Sequence, residues 1–288
     1  MKRGWGQWVA VCAVLCVRVS VGVASAAGPC ALPPGVEVCE KRTIELPGGA
    51  DMTLVWIPEG ALKLENAKDM AVDDEPVSND SSLASAQGRA SKKKPEPLLM
   101  SMDGFWIGMC EVTQKQWESV MGDNPAYFRG EELATASLRA NLPVECVSWE
   151  DCMEFCCRTG FRLPTEMEWL RAQDAWAWPN GSWSWTAQNS ENRTHPVGRS
   201  KAGRTGLFDM GGNVCEWCAD WFGPWPKTSM TNYTGAIDGT ERVICGGCWC
   251  GDKWFDIQLR EKRLSLPPEC RYNSVGFRVC LSPSGGRD

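Results

Sequence analysis

Apolar positions along the chain alternate between strand-like runs and helical spacing. Met52 to Ile57 (MTLVWI) is a nearly continuous apolar run that reads as a buried strand, and Pro58 ends it. Phe105 to Val112 (FWIGMCEV) reads as the next strand. Between them, residues 66–97 are dominated by Asp, Ser, Lys and Ala, with three lysines at 93–95. Too few apolar side chains occur there to offset the entropy of ordering, so a mobile insertion is expected. Three helices follow, each opened by a capping box. Thr113 pairs with Gln116, and Gly122 stands just past the end. Ser148 pairs with Asp151, Gly160 is the stop, and Trp149, Cys152, Met153 and Cys156 form the expected apolar stripe. Thr165 pairs with Glu168, and Pro164 before it keeps Leu163 extended. After Trp176 the pattern breaks into short strands and long loops rich in Gly, Pro and Trp.

The first residues carry a different signal. Lys2 and Arg3 precede a short apolar run, Trp8 to Val17, and Ala24-Ser25-Ala26 resembles a small-residue cleavage site. The run is too short to span a bilayer. Residues 1–27 are therefore expected to be an export signal, placing the protein in the periplasm, in the medium or at the cell surface, with no integral membrane segment after the signal. Sixteen cysteines, two of them in this leader, agree with an oxidising compartment and some disulfides, whose pairing cannot be read from spacing. The length of 288 residues suits one large domain or two small ones. A net charge of −6 argues against a nucleic-acid surface. The single histidine, His195, excludes metal sites built on two or three imidazoles.

Seven segments then occur in a telling order: FWIGMCEVTQ (105–114), LPVECVSWEDC (142–152), FRLPTEMEW (161–169), THPVGR (194–199), GLFDMGGNVCEW (206–217), RVICGGCW (242–249) and GFRV (276–279). Together they resemble the successive blocks of the formylglycine-generating enzyme (sulfatase-modifying factor) family. The resemblance covers roughly 42–282. It implies an α+β, C-type-lectin-like single domain with few short helices, short strands and much irregular loop. It also implies calcium at the side chains of Asp209 and Glu216 and the carbonyls of Gly212 and Val214. Hard oxygens on a glycine-rich turn suit that ion.

The family oxidises a sulfatase cysteine to formylglycine with oxygen and a copper ion held by two cysteines in the pattern GGS-x-x-C-x-x-x-x-C. Aligned on Gly246-Gly247, Cys248 falls at the serine, and Gly251 and Asp256 fall at the two cysteines. Neither replaces a thiolate, the ligand Cu(I) prefers. A one-residue gap brings Cys250 to the first position and leaves the second unfilled, so copper is not expected. Two CxxC pairs, Cys215/Cys218 and Cys245/Cys248, have the look of a zinc pattern, but their separation and an exported setting favour disulfides or core cysteines. His195 resembles a structural residue of its block. Two readings remain. One is a binding module that recognises a protein, peptide or small ligand on a 248–275 face carrying Trp254, Phe255, Leu264, Leu266 and Tyr272, the region that relatives with diversified surfaces vary. The other is an oxidoreductase, making formylglycine or performing another cysteine-dependent oxidation, with Cys248 and Cys250 as its candidate residues.

The composition of residues 66–97 generates a first prediction. Brief digestion with a broad-specificity protease is expected to cut within this segment while residues 105–282 survive as a fragment. First cuts inside the 105–282 region would contradict it.

Overall fold

The computed structural model describes residues 39–64, 97–176, 184–251 and 263–283. The export signal, nearly all of the 66–97 insertion, Trp254, Phe255 and Asp256 lie outside the described residues. Among the described residues no helix is long and apolar enough to cross a membrane.

The described residues form three small sheets. The first joins β1 (Lys41–Glu45), β2 (Asp51–Ile57), β5 (Phe105–Gly108) and β11 (Cys280–Leu281) in that order, all antiparallel. Both strands expected from the apolar runs, β2 and β5, sit at its centre, buried on both faces as continuous runs require. The second has the order β10 (Val275–Gly276), β6 (Cys215–Trp221), β8 (Arg242–Cys245) and β9 (Leu264–Leu266). The third pairs β3 (Gly60–Leu64) with β4 (Leu98–Met102), and β4 with β7 (Met230–Thr231).

The described residues form four helices, α1 (Gln114–Met121), α2 (Ala136–Ala140), α3 (Trp149–Thr159) and α4 (Glu166–Trp176). The three capping boxes are all formed. Thr113 N donates to Gln116 Oε1 at 2.8 Å, Ser148 N to Asp151 Oδ2 at 2.8 Å and Thr165 N to Glu168 Oε2 at 2.8 Å. Asp151 and Glu168 do more than cap. Arg271 grips Asp151 with two bonds of 2.9 Å, and Arg162 grips Glu168 with two of 2.7 Å. Each box thereby ties its helix to a distant or adjoining segment. Glycines at 122 and 160 take φ of 89° and 73°, the left-handed conformation that ends a helix.

The stripe on α3 differs from expectation at one position. Cys152, Phe155 and Cys156 are buried, whereas Met153 is 37% exposed. At about 100° per residue, Met153 lies about 100° around the helix from the centre of the buried face, which Phe155 completes instead. Phe155 stacks on Trp117 at 5.7 Å, and Phe277 meets both rings edge-on at 5.4 and 6.0 Å. This trio locks α1 and α3 to the C-terminal segment between β10 and β11.

Truncating the trio is expected to be costly. Phe155→Ala should lose about 3–5 kcal/mol in denaturant unfolding. Met153→Ala, one turn face away, should cost less than about 1 kcal/mol. Equal losses at the two positions would contradict the observed helix orientation.

Candidate functional site

The turn from Gly206 to Trp217 forms the centre of the molecule. Asp209 and Asn213 hold φ of 61° and 71°, left-handed conformations that Asp and Asn tolerate better than most residues. Asn213 fixes the turn to two other loops. Its amide pairs with both backbone groups of His195, accepting from N at 2.9 Å and donating to O at 3.1 Å. Its own N–H donates to Trp185 O, and its carbonyl accepts from Trp249 N, each at 2.8 Å. His195 stacks on Trp185 at 3.8 Å, and its Nε2 lies 2.8 Å from Ser190 O. Burial, the largest influence, pushes the imidazole pKa down. The ring is thus a neutral packing element of the loop. Gly212 is required by contact, because a Cβ there would lie 2.3 Å from Trp185 O.

Behind the turn, Glu216 and Arg278 form a fully buried ion pair. Arg278 Nε and Nη2 donate to the two carboxylate oxygens at 2.6 Å each. Trp169 Nε1 adds a third bond to Glu216 at 2.6 Å, and Arg278 reaches Gly108 O at 3.0 Å and Phe208 O at 3.2 Å. Asp209 accepts from Gly198 N at 2.8 Å through Oδ2, while its Oδ1 is buried without a hydrogen bond. Glu111, which the sequence reading missed, brings two more buried oxygens without hydrogen bonds. Burial first, and then the charge of Asp209, push its pKa up.

This arrangement bears on calcium. The ion takes six to eight oxygen ligands. Of the expected donors, Glu216 is consumed by a guanidinium and an indole, and Asp209 keeps one oxygen. Glu216 is thus already paired, and the carboxylate oxygens left without hydrogen bonds here are Asp209 Oδ1 and both of Glu111.

The cysteines divide by strand geometry. Residues three apart on a strand point to opposite faces. Cys215 and Cys248 accordingly lie in one core cluster, and Cys218 and Cys245 in the other. The CxxC partners separate, so the two motifs do not converge as a four-sulfur zinc site. Cys248 Sγ lies 3.1 Å from Cys250 Sγ. Cys248 is nearly buried, and Cys250 is exposed. Gly251 gives its carbonyl to Ala187 N at 2.9 Å.

An aromatic strip adjoins these thiols. Tyr127, 68% exposed, meets Phe128 edge-on at 5.0 Å, and Phe128 meets Trp249 edge-on at 5.2 Å. Glu145, fully buried, accepts from Phe128 N at 2.7 Å and so positions the strip. Trp249 Nε1 donates to Asn273 O at 3.0 Å, and Cys146 N donates to Tyr272 O at 3.0 Å. Tyr272, 49% exposed, is therefore carried by the segment that bonds both sides. Only Tyr272 and the cysteines had been singled out from sequence. Tyr127 and Phe128 sit in a loop with no motif, and only folding brings them to Trp249. Leu264 and Leu266 are half-buried in β9. Leu264 instead helps line a small cavity with Glu166 and Arg263, a pair joined by two bonds of 2.6 Å.

The profile of the sulfatase-modifying factor enzyme 1-like domain matches residues 48–283. Chaperone protein LppX of Paenibacillus barcinonensis is 31% identical, over 65% of this chain and 82% of that protein. The formylglycine-generating enzyme of Streptomyces coelicolor is 32% identical, over 56% of this chain and 59% of the enzyme, so the match spans less than two thirds of the enzyme's length. Among solved structures, Treponema denticola variable protein 1 superposes with a TM-score of 0.67 at 25% identity, covering 84% of this chain and 99% of that one. PvdO from Pseudomonas aeruginosa shares the fold with a TM-score of 0.55 at 20% identity, covering 80% and 94%.

The ion pair generates a prediction that separates it from a metal site. Glu216→Ala leaves a buried guanidinium unpaired and should destabilise by about 3–5 kcal/mol. With Glu216 held by Arg278 and not by an ion, a strong calcium chelator should leave the melting temperature of the wild type unchanged. A clear drop with chelator, restored by calcium, would contradict this reading.

Proposed function

The chain belongs to the sulfatase-modifying factor enzyme 1-like family, and we propose that it acts as an exported module that binds extended polypeptide. The observation that carries the proposal is the Tyr127–Phe128–Trp249 strip, exposed at one end and fixed from beneath by Glu145 and Asn213. Rigid aromatic side chains bring large contact area at low entropic cost, and Tyr and Trp are the residues that dominate binding surfaces. Trp249 and Tyr272 belong to the 248–275 face, and the strip extends that face across the thiols to the loop at 127–128.

Two further features support the reading. A relative at 31% identity, matched over most of its length, is called a chaperone. The family's copper chemistry needs two thiolates where this chain has Gly251 and Asp256. The leader at 1–27 supplies the route of export.

The test is binding of a reduced, carboxymethylated and permanently unfolded polypeptide by the full chain, followed by fluorescence anisotropy. Tyr127→Ala combined with Tyr272→Ala should weaken binding about tenfold or more while leaving the melting temperature nearly unchanged, because Tyr127 is largely and Tyr272 about half solvent-facing. Wild-type protein that ignores the unfolded chain, or a double variant that binds it as well as wild type, would overturn the proposal.

A further inference from the structure

Three sulfurs meet at the surface end of β6 and the turn after β8. Cys248 Sγ and Cys250 Sγ are 3.1 Å apart. The Cys215 thiol, buried on the inner side, lies 3.4 Å from Gly246 O and can turn its single proton to that carbonyl or to Cys248. Accessibility rises outward: Cys215 and Cys248 are buried, and Cys250 is exposed. The turn that carries the pair is tight. Gly251 N donates to Cys248 O at 3.0 Å, and Gly246 holds a φ of 80°. The backbone N–H groups of Cys250 and Gly251 also lie near the Cys248 sulfur and favour its thiolate. Nothing in the polypeptide-binding reading uses this arrangement.

We propose that Cys248 and Cys250 form a thiol–disulfide exchange centre for organic disulfides, with Cys248 as nucleophile, Cys250 as resolving thiol and Cys215 as a positioning residue. In the first step the Cys248 thiolate attacks one sulfur of the incoming disulfide. The substrate S–S bond breaks, one thiolate leaves with the electron pair, and a mixed disulfide forms on Cys248. In the second step Cys250, already within 3.1 Å, gives its proton to the departed thiolate and attacks Cys248 Sγ. The mixed disulfide breaks, and the second substrate sulfur leaves as a thiolate that takes its proton from solvent. The substrate disulfide is reduced by two electrons, and Cys248 and Cys250 are oxidised to a disulfide.

The electrostatics of the site agree with these roles. Hydrogen bonds from the Cys215 thiol first, and then from the Cys250 thiol and the two backbone N–H groups, outweigh burial and bring the Cys248 pKa down to about 6. Cys250 moves the opposite way, pushed up to about 12 by burial and then by its bond to Cys248. The inner sulfur is therefore the thiolate at neutral pH and the outer one holds a proton. Attack by a thiolate of lowered pKa is intrinsically slower, which partly cancels its greater abundance. The advantage is greatest near pH 6, where about half of Cys248 is ionised. An ordinary thiol with a pKa of about 8.5 is then ionised to well under about 1%. With a Brønsted slope of about 0.5, Cys248 should still react about tenfold faster.

The experiment uses the reduced full chain and glutathione disulfide at pH 6, with acid quench, alkylation and peptide mapping. Cys248 should react about tenfold faster than the cysteine of an unstructured peptide. Wild type should end with Cys248 linked to Cys250 and two glutathiones released per chain. Cys250→Ser should stop at glutathionyl-Cys248, and Cys248→Ser should abolish the fast reaction. Cys215→Ala should move the pH midpoint for Cys248 alkylation upward, a change that loss of packing alone would not produce. If a variant fails to fold, the wild-type map decides. Reaction no faster than the peptide, or a disulfide that excludes Cys248, overturns the proposal. Glutathione disulfide needs no aromatic strip, so this result is independent of polypeptide binding.

Discussion

The Glu216–Arg278 pair is the constraint on which the remainder of the structure depends. A buried charge is tolerated only when it is paired and hydrogen-bonded on all sides, and this one is. The carboxylate receives two bonds from the guanidinium and one from Trp169, while the guanidinium also satisfies the carbonyls of Gly108 and Phe208. Five segments that are distant in sequence therefore share one polar node: the end of β5, α4, the central turn, β6 and the strand connection after β10. Loss of either ion would leave the other as an uncompensated buried charge. Such a node gives little net stability compared with an apolar core, but it permits only one mutual arrangement of these segments.

Much of this was legible in the sequence, for identifiable reasons. Capping boxes are local, so Thr113, Ser148 and Thr165 marked their helices correctly, and the apolar runs marked β2 and β5. The order of seven motifs carried the family and its α+β fold. What was not legible depends on contacts between distant residues. Asp209 and Glu216 read as two similar oxygen donors on one turn. Only the fold shows that Arg278, 62 residues beyond Glu216, takes one of them. Glu111, buried beside Asp209, carries no motif at all. The short helix α2 was missed because five residues give no periodicity to detect. Met153 was assigned to the core because four apolar residues fitted a helical repeat, when Phe155 fitted it better.

The same node gives the outer face its shape. Asn213 lies three residues before Glu216, and its bonds hold the loop at 185–195 and the turn at Trp249 against the central turn. Glu145 does the equivalent for Phe128. Aromatic rings and thiols thus project from backbone that is fixed from within. That is the requirement for a surface that binds without first paying to order itself. Cysteine pairing follows a similar logic. The alternation of β6 sends Cys215 and Cys218 to opposite faces, and only the set on the Cys215 side, through Cys248, meets Cys250.

The central claim is that the rigid outer face, from Tyr127 through Trp249 to Tyr272, is where this protein meets its partner. Hydrogen–deuterium exchange on the full chain, with and without a saturating unfolded polypeptide, tests it most directly. The account predicts added protection confined to residues around 125–129, 248–251 and 270–274, with β1–β4 unchanged. Protection that falls elsewhere and leaves these three segments unaltered would contradict it.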